Sequence, residues 1–266
     1  MPSSPSAGTV AEEIGRAAWQ AAQVRAPYLI ERPAPEDWRQ GIASKVVSIF
    51  TNELEPLADG RIEDAARMAI SEVLGICYLG DYALETGLSF NVAPAASAVA
   101  DCAVSSGVEE GMAAMLIQRM ASFYCDEEAA RTGRIYPDLW HTTRGVRYQL
   151  KSADICLLQR MTIAGSLGEP PGTHDALDCA SAALDVVDDA MDLTEDAQCA
   201  NGNPLVAVRH DSVRLRAVFE WCVSPYMASM RNALCSGYLP RFAGEYVLSA
   251  IERVHACHLT LDCVSE

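Results

Sequence analysis

Along this chain apolar residues recur at intervals of three and four rather than two, the spacing of helices that bury one face. Residues 184–193 show it clearly: Leu184, Val186, Val187, Ala190, Met191 and Leu193 fall on one side of a helix and acids on the other. Breaker-rich segments punctuate the pattern at RPAPEDW (32–38), ADGRIED (58–64), NVAP (91–94), SSGVEE (105–110), RTGRIYPD (131–138), GSLGEPPGTHD (165–175), CANGNP (199–204) and SGYLPR (236–241). Between them the pattern predicts about eight or nine helices of roughly ten to twenty-five residues, joined by short loops. Alanine, leucine, glutamate and arginine dominate and β-branched runs are short, so the fold class is all-α. The expected architecture is a single-domain α-helical bundle over residues 9–266, behind a disordered Ser/Pro-rich tail at 1–8. Bundles of this size hold ligands and metals in their middle, on facing helices.

Composition narrows the function classes. The chain has 266 residues, half of them apolar and 21% charged, which excludes disorder as its general state. Its net charge of −16 offers no basic footprint, so neither nucleic acid nor an anionic membrane is an expected partner. The ten cysteines contain no CxxC pair and lie mostly within apolar helical patterns, which points to reduced thiols rather than a disulfide or zinc framework. No apolar run reaches about 18 residues, and the start lacks a basic segment followed by an apolar one. A soluble, cytoplasmic protein without a membrane span is expected. Lys45 and Lys151 are the only lysines beside eighteen arginines, which a GC-rich genome would explain.

The chemistry concentrates in SAALDVVDDAMDLTEDAQ (181–198), with six carboxylates in twelve positions. On a helix Asp185, Asp188, Asp189, Asp192, Glu195 and Asp196 occupy an arc of about 120°. One reading is a solvated face. It meets the objection that like charges four residues apart cost about 0.2–0.5 kcal/mol each, while no Lys or Arg occurs between Arg160 and Arg209. The other reading is a cation site: Asp188, Asp192 and Asp196 stand one per turn, about 6 Å apart, an arrangement that suits a hard divalent ion such as Mg²⁺.

The run DDAMDLTED resembles the second metal motif of class I terpene synthases, with Asp188, Asp192 and Asp196 at its three ligand positions and Asp189 as an auxiliary. It is also similar to the second DDxxD of prenyl diphosphate synthases. Asn203 in CANGNPLV stands where the terpene synthases often carry an asparagine after the last acid. Upstream, Arg144 lies where the family places a diphosphate-sensing arginine, and Arg147 and Lys151 continue its helical face. ICYLGDYALETG resembles the first metal motif, with Asp81 and Glu85 at ligand positions, Gly80 where a leading Asp would stand, and Tyr78 as the aromatic one turn earlier.

The resemblance implies the class I isoprenoid synthase bundle with a central cavity. It implies more than one Mg²⁺ bridging the substrate diphosphate between two acidic helices, and ionisation and cyclisation of a linear prenyl diphosphate, farnesyl diphosphate favoured, to a terpene. Arg144 and Arg147 would assist catalysis with Tyr78, and Arg144, Arg147, Lys151 and Asn203 would bind the diphosphate. Phe50, Phe123, Trp140 and Trp221 are candidate cavity walls as well as ordinary core residues. A homodimer is compatible with the reading. Three alternatives stay open: a chain-elongating prenyl diphosphate synthase; an HD-type phosphohydrolase using His174–Asp175, His210–Asp211 and His141; and a non-catalytic interaction protein. His255, His258 and Asp262 share one C-terminal helical face that reads as structural.

Overall fold

The computed structural model describes residues 7–58, 62, 64–131, 147–164, 172–199 and 202–263, and among them every regular element is helical. The α-helices are α1 (Ala7–Leu29), α2 (Trp38–Ile49), α3 (Asp64–Glu85), α4 (Val92–Ser105), α5 (Glu110–Arg131), α6 (Ala153–Ile163), α7 (Thr173–Met191), α8 (Leu193–Cys199), α9 (Ser212–Ser236) and α10 (Arg241–Cys263). Residues 147–151 form a further helical turn ahead of α6. The all-α class is therefore correct. Among the described residues no helix is long and apolar enough to cross a membrane.

The chain divides into two compact units, Met1–Gln118 with Leu157–Ser166, and Arg119–Cys156 with Leu167–Glu266. In the first, α3 is the central helix: Ile70, Val73, Leu74, Ile76, Leu79 and Ala83 are buried on nearly all sides of it. It packs against α1, α2 and α4. The α1 side of this contact is built from small residues at helical spacing, with Ala18, Ala22 and Ala26 fully buried. Gly75 completes it, because a Cβ there would run into the Ala18 carbonyl oxygen. Two backbones approach that closely only where one lacks a side chain.

In the second unit α7 packs against both α9 and α10, which also pack on each other. Ala176, Leu177, Ala180, Ala183, Val186 and Val187 form its buried stripe. Across from it Phe219, Met230, Val247 and Ala250 are fully buried on α9 and α10, and the Ser181 and Tyr246 hydroxyls meet at 3.3 Å. Helix α9 is bounded by local chemistry. The Asp211 carboxylate accepts from the Arg214 amide at its start, and Gly237 ends it at φ 69°, a left-handed conformation that glycine adopts without steric penalty. The arrangement leaves the acidic end of α7 to be completed by residues 147–151, α8 and the loop at 202–203.

Candidate functional site

The acidic run is not one uninterrupted helix, as its spacing predicted. α7 ends at Met191, Asp192 leaves α-helical dihedrals at ψ 14°, and α8 begins at Leu193. Like charges at four-residue spacing weaken a helix, and the break falls where they are densest. The register survives it: the Asp192 amide donates to the Asp188 carbonyl at 3.0 Å, and the Asp196 amide to the Asp192 carbonyl at 2.9 Å.

The carboxylates then separate by environment. Asp188 and Asp192 are exposed, Asp185 and Asp196 half-buried, and Asp189 buried at 3% exposure. Met191, placed by periodicity on the apolar side, is instead 63% exposed. Asp189 has both oxygens occupied. One accepts from the fully buried Tyr148 hydroxyl at 3.0 Å, and the other takes the Lys151 ammonium at 2.5 Å. The same ammonium lies 3.4 Å from Asp188. Burial works against the Lys151 charge, but Asp189, Asp185 and Asp188 outweigh it and hold its pKa above the ordinary lysine value. The cation absent from the sequence between Arg160 and Arg209 thus arrives from the helical turn at 147–151.

A second buried pair braces the other flank. Arg147 donates to Glu127 of α5 at 2.8 Å, with both side chains under a tenth exposed, and its guanidinium lies 5.3 Å from the Phe123 ring centre. The remaining Glu127 oxygen accepts from the Gly202 amide at 3.2 Å. That contact fixes the loop carrying Asn203, whose amide group donates to the Asp189 carbonyl at 2.6 Å and to the Asp196 carboxylate at 2.7 Å. The Asn203 side-chain oxygen in turn caps the short helix Pro204–Val208 through the Leu205 amide. Asp196 is thereby held in place from outside its own helix.

Burial, and then neighbouring charge, act on the carboxyls of the cluster. Partial desolvation, and then Asp188, Asp196 and Glu195, raise the Asp192 pKa. Burial, opposed by Lys151, raises that of Asp185 well above the carboxylate range. The Asp185 Oδ2 is buried and without a hydrogen-bond partner.

The upstream acids have a different companion. Asp81 and Glu85 on α3 lie 3.2 and 3.8 Å from the Lys45 ammonium of α2. That ammonium also stands 5.6 and 5.2 Å from the ring centres of Tyr78 and Tyr82. Burial opposes its charge, yet Asp81 and Glu85 together raise its pKa.

No family model matches this chain, and neither a curated protein nor a solved structure does. Its chemistry is read from its own side chains. Oxygen donors with at most partial burial suit Mg²⁺, which keeps several waters and takes one or two carboxylates. Asp188 and Asp192 meet that description, with Asp196 braced beside them by Asn203; Asp189 is committed to Tyr148 and Lys151. The sequence-derived residues Asp188, Asp189, Asp192, Asp196, Lys151 and Asn203 thus form one cluster, with Arg147 next to it. Asp81, Glu85 and Tyr78 form another around Lys45. Arg144, Trp140 and His141 lie outside the described residues. Phe50 is buried, and Phe123 and Trp221 are half-buried. His258 pairs with Glu220 at 2.6 Å and His255 with Arg231 at 3.1 Å on the α9–α10 surface.

Sequence reasoning missed Tyr148, Glu127 and Lys45. The pairings of Tyr148 with Asp189 and of Glu127 with Arg147 and Gly202 carry no local signal, since they span 41, 20 and 75 residues. Lys45 carried only its rarity as one of two lysines; that both meet candidate metal motifs appears in the fold alone.

Proposed function

We propose that this chain is a class I terpene cyclase that ionises and cyclises a linear prenyl diphosphate, with farnesyl diphosphate as the favoured substrate, and releases diphosphate. The observation that carries the reading is the edge formed by Asp188, Asp192 and Asp196. They stand in four-residue steps, two of them accessible, the third gripped by Asn203, with the Lys151 ammonium at one end. This is the set of residues the terpene synthase resemblance names, and distant parts of the chain brace it.

Asp188, Asp192 and Asp196 would hold Mg²⁺, which when bound supplies electrostatic stabilisation of the leaving diphosphate. The chain's own residues do the rest. Lys151 presents a permanently charged donor at the rim, fixed by Asp189 and Tyr148 so that little side-chain freedom is lost when an anion arrives. Arg144 remains the choice for bidentate diphosphate binding, because a planar guanidinium matches phosphate oxygens. Arg147, buried against Glu127, keeps the Asn203 loop in register. Apolar helix faces would keep water from the allylic cation until it cyclises. A cytoplasmic setting belongs to the same proposal.

The test is incubation of the purified chain with geranyl, farnesyl and geranylgeranyl diphosphates and Mg²⁺, with volatile products read by gas chromatography and mass spectrometry. A cyclic hydrocarbon or alcohol supports the reading. A longer diphosphate on adding isopentenyl diphosphate replaces it with chain elongation, and phosphate without hydrocarbon replaces it with hydrolysis.

A further inference from the structure

We propose that Lys45 is the resident cation of the Asp81–Glu85 pair, standing where the resemblance calls for a metal ion, so that divalent ions bind this chain without help from its first acidic motif. The proposal rests on the cyclase reading only for the role of that motif; the geometry is independent of it.

Tyr78, Asp81 and Glu85 follow one another at steps of three and four residues, and Tyr82 stands four after Tyr78 and three before Glu85, so all of them share one face of α3. Trp38, Gly41 and Lys45 do the same on α2. The Trp38 and Tyr82 rings are 5.3 Å apart, and a Cβ at Gly41 would occupy the place of the Tyr82 hydroxyl. The absent side chain at Gly41 lets Tyr82 lie against α2, and one turn further on this sets the Lys45 ammonium beside two rings and two carboxylates. Ring faces attract a cation by their quadrupole and carboxylates by their charge, so all four groups favour the same occupant. Being tethered, that occupant needs no bulk concentration: a linked group acts at an effective concentration of the order of millimolar or more. A hydrated Mg²⁺ would have to displace the ammonium or sit beside it against like charge. The position that would add a further carboxylate is Gly80, which is buried and has no side chain to offer.

The inference is tested by counting Mn²⁺ bound to the full chain by electron paramagnetic resonance, which requires no prenyl substrate. The expected results are a wild-type count unchanged by Asp81→Asn, a count higher by about one ion in Lys45→Met, and loss of that gain in Lys45→Met combined with Asp81→Asn. A wild-type count that falls on Asp81→Asn overturns the proposal. So does a Lys45→Met chain that keeps its helical circular dichroism and gains no ion. Should Lys45→Met fail to fold, the Asp81→Asn comparison decides alone. A chain that binds Mn²⁺ in this way and turns over no prenyl diphosphate would refute the cyclase and leave the Lys45 assignment standing.

Discussion

Lys151 and Asp189, 38 positions apart in sequence, meet at 2.5 Å, and this pair converts a stripe of like charges into a partly neutralised site. Asp189 is almost fully buried while Lys151 keeps about a fifth of its side-chain surface. Removing one partner of a buried pair strands the other charge and costs about 3–5 kcal/mol. Lys151→Met is therefore expected to lower unfolding stability by roughly that amount in urea titrations. A loss below about 1 kcal/mol, the range of surface pairs, would show that the pair is not buried in solution.

Tyr148 supports the same carboxylate from the other side. Tyr148→Phe removes one hydrogen bond to a charged group without opening a cavity, and the expected loss is about 1.5–3 kcal/mol. Measured together with Lys151→Met, the two losses should be non-additive, since both act on Asp189.

Asp185 gives a pH signature. Burial raises its pKa in the folded chain, so between about pH 4 and that higher value the folded state holds a proton that the unfolded state has released. Stability is then lost as the pH rises through this window. Lys151 opposes the shift, while Asp154, Asp188 and Asp189 reinforce it. Asp185→Asn should be more stable than wild type at pH 7, with the gap closing toward pH 4. Thermal melts across that range give the answer, and a variant less stable at pH 7 than at pH 4 relative to wild type would contradict it.

Gly75 tests the first unit. Alanine is the better helix former by about 1 kcal/mol, but its methyl group would meet the Ala18 carbonyl, a backbone atom that cannot rotate away. Overpacking of this kind costs about 1–3 kcal/mol, so Gly75→Ala is expected to destabilise in spite of its propensity. A higher melting temperature would show that α1 and α3 are not in close contact there.

What the sequence made legible was local. The three- and four-residue spacing of apolar positions announces helices, and breakers such as SSGVEE and SGYLPR coincide with helix ends at Ser105 and Ser236. The four-residue steps of Asp188, Asp192 and Asp196 likewise survive in the backbone. What it did not reveal depends on long-range pairing: Asp189 turns inward because Tyr148 and Lys151 meet it, and Arg147 is held by Glu127, twenty positions earlier. No periodicity encodes such partners. The break at Asp192 was equally invisible, because the acid spacing is the same on a broken helix as on a straight one.

The most direct test is Mg²⁺-dependent diphosphate release from farnesyl diphosphate by wild type and by Asp188→Asn. Asp188 is exposed, so the substitution leaves the fold in place and removes one oxygen charge from the reacting end. The expected result is a cyclic terpene from the wild type and a fall in kcat/KM of about 100-fold or more in the variant, the usual effect of losing one electrostatic contact to a developing charge. Equal rates in the two proteins, or no diphosphate release from the wild type at any Mg²⁺ concentration, would contradict it.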